Sequence, residues 1–287
     1  MNIRAFIPGE RFPAISITGK HCALNCRYCK GDFLENMYSA TSPHQLYSIA
    51  RNLYTKGARG LLVSGGYDTE GRLPVRPFLS TIRDIKRDFG LVISLHSGLV
   101  DKELASDLRS SEVDIVDFQL VIDPVIIKDI QGLNKKPEDY VRSLRLLAEH
   151  GPTYVAPHLP LGFRYGKIVM EKDAIDVLRD FDPYIVVFLI LISKNLSAAD
   201  WSSPKEMEIL NLLKYTGNLG CEKAIGCMRP TDVKSDLDEV MIGNKFVDRI
   251  AVPHMRLIRK WNLELVESCC SVPGEFLDRF IDDSHRK

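Results

Sequence analysis

A parallel β/α barrel of the TIM-like kind, in one domain spanning 1–287, is the fold this sequence predicts, and three observations predict it. Short apolar runs rich in β-branched residues alternate with segments of helical period. The runs are apolar on both faces, as strands of a sheet covered by helices must be. The 287-residue length suits a single barrel with a well-buried core.

Taken in order, strands are predicted at 14–18, 60–64, 91–96, 113–122, 153–159 and 184–192. Helical period fills 43–56, 75–89, 136–150 and 172–181, and several of these segments open at Ser, Asp or Pro and close near Gly or Pro. Weaker strand signals at 223–227, 249–252 and 263–267, with a helix over 253–261, extend the six strands toward a full barrel of eight. No repeat, low-complexity tract or linker divides the chain.

Lys plus Arg and Asp plus Glu each total 38, so no basic surplus points to nucleic acid or to an anionic membrane. The first ten residues lack the apolar core of a signal peptide, and the longest apolar run, 184–192, is too short to cross a bilayer. A cytoplasmic protein is expected. In a reducing compartment its seven cysteines are expected as metal ligands or buried thiols rather than disulfides.

Directly after the first predicted strand, the loop 19–31 carries Cys22, Cys26 and Cys29 in the spacing Cys-x3-Cys-x2-Cys. Three thiolates on one short loop can hold three corners of an iron-sulfur cubane and leave the fourth iron open. Lys20, Arg27 and Lys30 are placed to moderate the cluster's negative charge and to favour thiolate. Two blander readings compete: a zinc site completed by His21 or His44, and inert core cysteines.

With Tyr28 just before the last cysteine, this loop resembles the signature of the radical S-adenosylmethionine (SAM) superfamily. The resemblance implies a 4Fe-4S cluster whose open iron chelates SAM, and hydrogen-atom abstraction through a 5′-deoxyadenosyl radical. It assigns Tyr28, Ser64, Gly65, Gly66, His96, Ser97, Gln119, Leu159 and Gly162 to the cofactor's surroundings. Ser64-Gly65-Gly66 ends the second strand and is similar to the family's Gly-Gly-Glu position, the acidic residue being displaced to Asp68. Polar residues at the carboxyl ends of the third and fourth strands, His96, Ser97, Gln119 and Asp123, face the site in such a barrel. Leu159 to Gly162 is expected to pack on adenine through its backbone.

Four cysteines remain: Cys221, Cys227, Cys269 and Cys270, in the segment 221–287. They amount to a full ligand set for a second 4Fe-4S cluster, set against the plain reading of small buried hydrophobes.

Ile130-Gln131-Gly132-Leu133-Asn134, Glu138-Asp139-Tyr140, Pro157-His158 with Leu161-Gly162, and Gly226 to Pro230 resemble the biotin synthase-like branch. Within it the chain is similar to the proteins of the two-component lipoyl synthase. That similarity implies a related radical SAM partner protein and an octanoylated lipoyl-carrier protein as substrate. It also implies a sacrificial auxiliary cluster as sulfur donor and an electron donor such as a ferredoxin. His158, Arg164 and Arg229 are assigned to the substrate. The alternatives are another chemistry within the same branch and a non-enzymatic iron-sulfur or zinc protein.

Overall fold

A computed structural model describes residues 3–192, 196–197, 199–231 and 234–281. The end of the predicted cysteine-bearing segment, 282–287, lies outside them, as do 232 and 233. Eleven strands form one sheet: β1 (Arg4–Phe6), β2 (Ala14–Ser16), β3 (Tyr38–Ser39), β4 (Gly60–Ser64), β5 (Val92–His96), β6 (Ile115–Gln119), β7 (Tyr154–Leu161), β8 (Ile185–Ile190), β9 (Glu222–Ile225), β10 (Arg249–Ala251) and β11 (Glu264–Val266). Their order is β11-β1-β10-β9-β8-β7-β6-β5-β4-β2-β3, and every ladder is parallel. The predicted parallel α/β architecture is present, but among the described residues β3 and β11 share no ladder. The sheet therefore curls as an open half-barrel.

All nine predicted strands are found, and the sequence reading lacks β1 and β3, which at three and two residues carry no readable alternation. Among the described residues eight α-helices follow strands: α1 (Pro43–Thr55), α2 (Leu79–Phe89), α3 (Lys102–Ser110), α4 (Pro137–His150), α5 (Glu171–Arg179), α6 (Glu206–Tyr215), α7 (Lys234–Gly243) and α8 (Met255–Trp261). Local chemistry sets their ends. The Ser42 hydroxyl accepts from the Gln45 N–H ahead of Pro43, and the Asp101 carboxylate accepts from the Leu104 N–H. α2 stops at Gly90, whose φ of 62° is left-handed.

The two faces of the sheet pack differently. Ile93, Leu95, Val116, Phe118, Leu159, Leu161, Val186 and Phe188 face outward into a core shared with helical residues such as Ile82, Leu104, Leu144 and Ile175. The alternate positions Val92, Ile115, Ala156, Ile185 and Val187 line the concave face. There they meet the segment after β11, through Cys270, Val272, Leu277 and Phe280. Phe280 packs on Phe12 with ring centroids 5.6 Å apart, and the Arg249 guanidinium donates to the carbonyls of Cys270 (2.9 Å) and Val272 (2.5 Å). The C-terminal segment thus fills the lower part of the lumen. No helix among the described residues is long and apolar enough to cross a membrane.

Candidate active site

Because all strands are parallel, each loop after a strand opens at the same edge of the sheet, and the cysteine loop follows β2 there. The loop is fastened at several points. Thr18 Oγ1 donates to the His21 carbonyl (2.8 Å) and accepts from the Gly66 N–H (2.7 Å), and the Ala23 N–H donates to the Tyr67 carbonyl (2.9 Å). The N–H groups of Cys29 and Lys30 both donate to the Cys26 carbonyl, at 3.1 and 2.9 Å. Asn25 and Lys30 hold left-handed backbone, with φ of 46° and 47°.

These restraints bring the Cys26 and Cys29 thiols into contact. Cys26 is buried and Cys22 and Cys29 half-buried. A hydrogen bond from Cys26 to Cys29 pushes the Cys26 thiol up, with burial and the Cys29 and Cys22 charges adding to it, and the same bond draws Cys29 down. Lys20 pairs instead with Glu35 at 3.7 Å, and Arg27 donates to the Tyr165 hydroxyl at 3.0 Å, so these two cations are already engaged. Lys30 is exposed. Tyr28 meets Phe163 edge-on at 4.8 Å, which closes the end of β7 against the loop.

Gly66 has a decisive packing role. A Cβ there would lie 2.1 Å from the His21 carbonyl oxygen, 2.4 Å from Cys22 Cα and 2.6 Å from Cys22 Cβ. Only glycine lets the end of β4 touch the first cysteine. At Gly65 the nearest atoms are side-chain atoms of Leu73 and Thr18, both 3.0 Å away.

Below the loop the concave face turns polar. His96 and Asp117 are register partners on β5 and β6, and Gln119 is paired with His158 on β7. Ser64 Oγ lies 2.9 Å from His96 Nδ1, His158 Nδ1 lies 2.9 Å from the Ala156 carbonyl, and the Ser94 hydroxyl donates to Asp117 Oδ2. Burial draws His96 down to about 4, more than the Asp117 charge raises it, so the ring is neutral at pH 7. Tyr67 is pushed up by burial, with the charges of Cys22, Cys26 and Asp117 adding to it.

On the far half of the sheet, with four strands between β9 and β4, Cys227 follows β9, and Cys269-Cys270 follow β11. Cys227 is exposed, yet desolvation by the surrounding protein raises its thiol, with the Cys269 charge next. Cys269 is drawn down first by a hydrogen bond from Cys270, and the Ser271 hydroxyl lies 3.3 Å from its sulfur. Cys270 lies in the apolar cluster of the concave face, and Cys269 packs against it.

The sequence profile of the family described as the radical SAM superfamily matches residues 16–165, just over half of the chain. This chain belongs to the radical SAM superfamily. Solved structures of similar fold include HydG from Carboxydothermus hydrogenoformans, an FeFe-hydrogenase maturase (12% identity, TM-score 0.63, 97% of this chain and 70% of that one). Methylornithine synthase (PylB) is another, at 14% identity and TM-score 0.58 over 87% of this chain and 72% of that one. Streptococcus suis SuiB bound to SAM matches at 12% identity and TM-score 0.54, over 86% of this chain and 51% of SuiB. No curated protein sequence matches the chain.

Radical SAM proteins carry a 4Fe-4S cluster and SAM, and the cysteine loop suits that group. It offers three soft thiolate donors on one loop, the donor type that iron-sulfur clusters take. Cys22, Cys26 and Cys29 would hold three irons, and the bound cluster would supply the electron that cleaves SAM. The chain's own part is to fix the loop against Gly66 and to shield it with Tyr28 and Phe163.

Other predicted positions are distributed differently. Ser64, His96, Gln119 and His158 come together on the lumen wall. Ser97 is buried and donates to the Gly98 carbonyl within its own turn (2.9 Å). Leu159 points outward into the helical core, so only its backbone borders the lumen. Gly162, at φ 75°, lies where a Cβ would strike Pro204 at 2.2 Å, which makes it a seat for the 202–204 loop. Asp68 accepts from the N–H groups of Glu70 and Arg72, both at 2.9 Å, and so caps a turn.

The two arginines assigned to the substrate have partners within the fold. Arg164, part exposed, reaches Asp123 at 3.4 Å, a tie between the loops after β6 and β7. Arg229 is fully buried in a double hydrogen bond to Asp238 of α7, both contacts 2.8 Å, and donates to the Gly226 carbonyl at 2.6 Å. It holds the Cys227 turn from within the fold, with no exposed side-chain surface. Cys221 is also set apart, because it precedes β9 whereas Cys227 follows it. The four residues of β9 between them span on the order of 13 Å, which puts the two thiols at opposite ends of that strand.

Sequence reasoning missed Asp117, Ser94, Tyr184 and Arg249. Asp117 had a readable signal, a lone carboxylate inside the apolar run Ile115-Val116-Asp117-Phe118.

Proposed function

We propose that this radical SAM protein is one component of a two-protein lipoyl synthase and inserts sulfur at unactivated carbons of a protein-bound octanoyl chain. The supporting observation is that Cys227 and the Cys269-Cys270 pair follow strands of the far half of the sheet and lie within electrostatic reach of one another. Three thiols drawn together there would suit a second 4Fe-4S cluster with a sulfide facing the reacting carbon. A saturated C–H bond has no acidity for a base to exploit, so abstraction by a carbon radical is the available route. A related radical SAM protein, an octanoylated carrier domain and a ferredoxin-like donor complete the scheme, in the cytoplasm and within one domain over 1–287.

A second reading, radical chemistry without sulfur insertion on a polar substrate, is favoured by the His96, Asp117 and His158 lining. Iron content after anaerobic reconstitution separates the two, at about eight irons per chain for the first and about four for the second. The direct test incubates octanoylated lipoyl domain with this protein, its partner, SAM and a reductant, and reads the product by mass. Thiolated product is expected, and Cys227→Ser should abolish it while sparing 5′-deoxyadenosine. Eight irons with no thiolated product under turnover would reject the assignment.

A further inference from the structure

The polar level of the lumen carries a donor set that the radical mechanism does not use. A ring nitrogen of His96, a carboxylate oxygen of Asp117 and a ring nitrogen of His158 lie within 4.8 Å of one another. Bonds of about 2.0–2.2 Å to one ion would bring such atoms to roughly 3.4 Å spacing, a closure of about 1 Å that side-chain rotation supplies. The residues come from three adjacent strands, so their backbones are fixed by the β5–β6 and β6–β7 ladders.

The surroundings complete the case. One atom of each residue is held by a neighbour, His96 Nδ1 by Ser64 Oγ, His158 Nδ1 by the Ala156 carbonyl and Asp117 Oδ2 by the Ser94 hydroxyl, which leaves the other atom of each as the candidate ligand. A His158 ring that donates Nδ1–H to a carbonyl presents its Nε2 lone pair, the arrangement metal-ligating imidazoles adopt. Asp117 is 2% exposed, yet its Oδ1 has no hydrogen-bond partner. A buried carboxylate oxygen left unpaired is costly, and a cation is what would satisfy it.

We infer that His96, Asp117 and His158 form a mononuclear site for a divalent first-row transition ion, with open coordination positions toward the lumen. Two imidazoles and one carboxylate suit Zn2+ or Fe2+ over Mg2+ or Ca2+, which want oxygen-rich shells. The site lies beneath Ser64-Gly65-Gly66, so an ion there would take a heteroatom of a substrate placed under the cofactor. The inference holds whether or not a second cluster forms on Cys227 and Cys269.

The test uses the full-length, cluster-reconstituted protein. It is dialysed against chelator, then titrated separately with Zn2+, Fe2+ and Mg2+, with Co2+ as an optical probe. About one Zn2+ or Fe2+ per chain should bind beyond the cluster iron, and Mg2+ should not compete. Co2+ should show d–d bands without a sulfur-to-metal charge-transfer band. Asp117→Asn, which keeps the shape, and His158→Gln should each abolish binding, and Ser94→Ala should weaken it about 10–100-fold. Cys227→Ser and Cys269→Ser should leave it unchanged, whereas a failed sulfur-insertion assay would touch only the function proposed above. Full cluster iron in the Asp117→Asn protein certifies its fold. If that variant does not assemble the cluster, His158→Gln and the Co2+ spectrum decide. Absence of the extra ion in the wild type, its survival in Asp117→Asn or His158→Gln, or a thiolate charge-transfer band would overturn the site.

Discussion

Replacing Gly66 with alanine isolates the contact between β4 and the cluster loop. The added Cβ would sit 2.1 Å from the His21 carbonyl oxygen and 2.4 Å from Cys22 Cα. Ordinary contacts begin near 3.4 Å, so the loop must retreat by about 1.3 Å, and the obstructing atoms are backbone with no rotamer to yield. Overpacking of this kind costs about 1–3 kcal/mol. A 1 Å displacement of a cluster ligand would lower SAM cleavage on the order of 100-fold. Gly217→Ala is the control, since an added Cβ there would meet nothing within 4 Å. The assay measures iron per chain and 5′-deoxyadenosine after anaerobic reconstitution, beside the urea midpoint. Gly66→Ala should lose cluster and activity while Gly217→Ala keeps most of both. Wild-type iron and turnover in Gly66→Ala would refute the packing argument.

Other perturbations test other parts of the chain. Cys26→Ala should abolish 5′-deoxyadenosine formation, followed by chromatography; retained product would rule out the three-thiolate cluster. Arg229→Met leaves Asp238 buried without its partner and should cost about 3–5 kcal/mol in urea unfolding, much of it recovered in the Arg229→Met, Asp238→Leu double variant. Equal losses in both would show that the pair does not couple. Cys221→Ser should leave iron content unchanged, because this thiol sits at the opposite end of β9 from Cys227; a loss of about four irons would place it in a cluster after all. Burial raises the Glu171 carboxyl more than the Gly162 and Val169 N–H groups lower it. The native state then holds that proton more tightly than the unfolded chain, so its contribution is full below the ordinary 4.5 and is lost as pH rises through the raised value. Glu171→Gln should flatten this fall in a pH series of unfolding curves, and an unchanged slope would assign it to other groups.

The cysteine loop was legible because its chemistry is carried by spacing alone, three thiols within eight residues of one another. β4 was legible to the residue, since Gly60 to Ser64 is an apolar run closed by Gly-Gly. What spacing does not carry is the side of an element on which a residue stands. Leu159 and His158 are neighbours in sequence yet face opposite sides of β7, and only His158 sees the lumen. Cys221 and Cys227 flank β9, predicted as 223–227, so they stand at its two ends. Arg229, assigned to the substrate, is buried against Asp238, which arrives from a later helix. That last contact joins two elements, and no local pattern encodes it.

An open half-barrel poses a physical problem that a closed barrel does not. A closed barrel fills its centre with layers of its own strand side chains, whereas here β3 and β11 leave the sheet open and the concave row Val92, Ile115, Ala156, Ile185 and Val187 would face water. The segment after β11 resolves this by laying Val272, Leu277 and Phe280 on that row, each such side chain being stabilised by about 1.5–3 kcal/mol when buried. Its backbone is then held by Arg249 at Cys270 and Val272 and by the Tyr184 hydroxyl at Ser271. The same docking that covers the apolar floor sets the height of Cys269 and Cys270 in the lumen. Above that height the wall changes to Ser64, His96, Asp117, Gln119 and His158, so the tail divides a dry floor from a polar upper chamber. Arg249→Met should therefore act at a distance, releasing the vicinal thiols while the cysteine loop keeps its own iron. Faster alkylation of Cys270 with unchanged SAM cleavage would show it, and protection equal to wild type would mean the apolar contacts alone hold the tail.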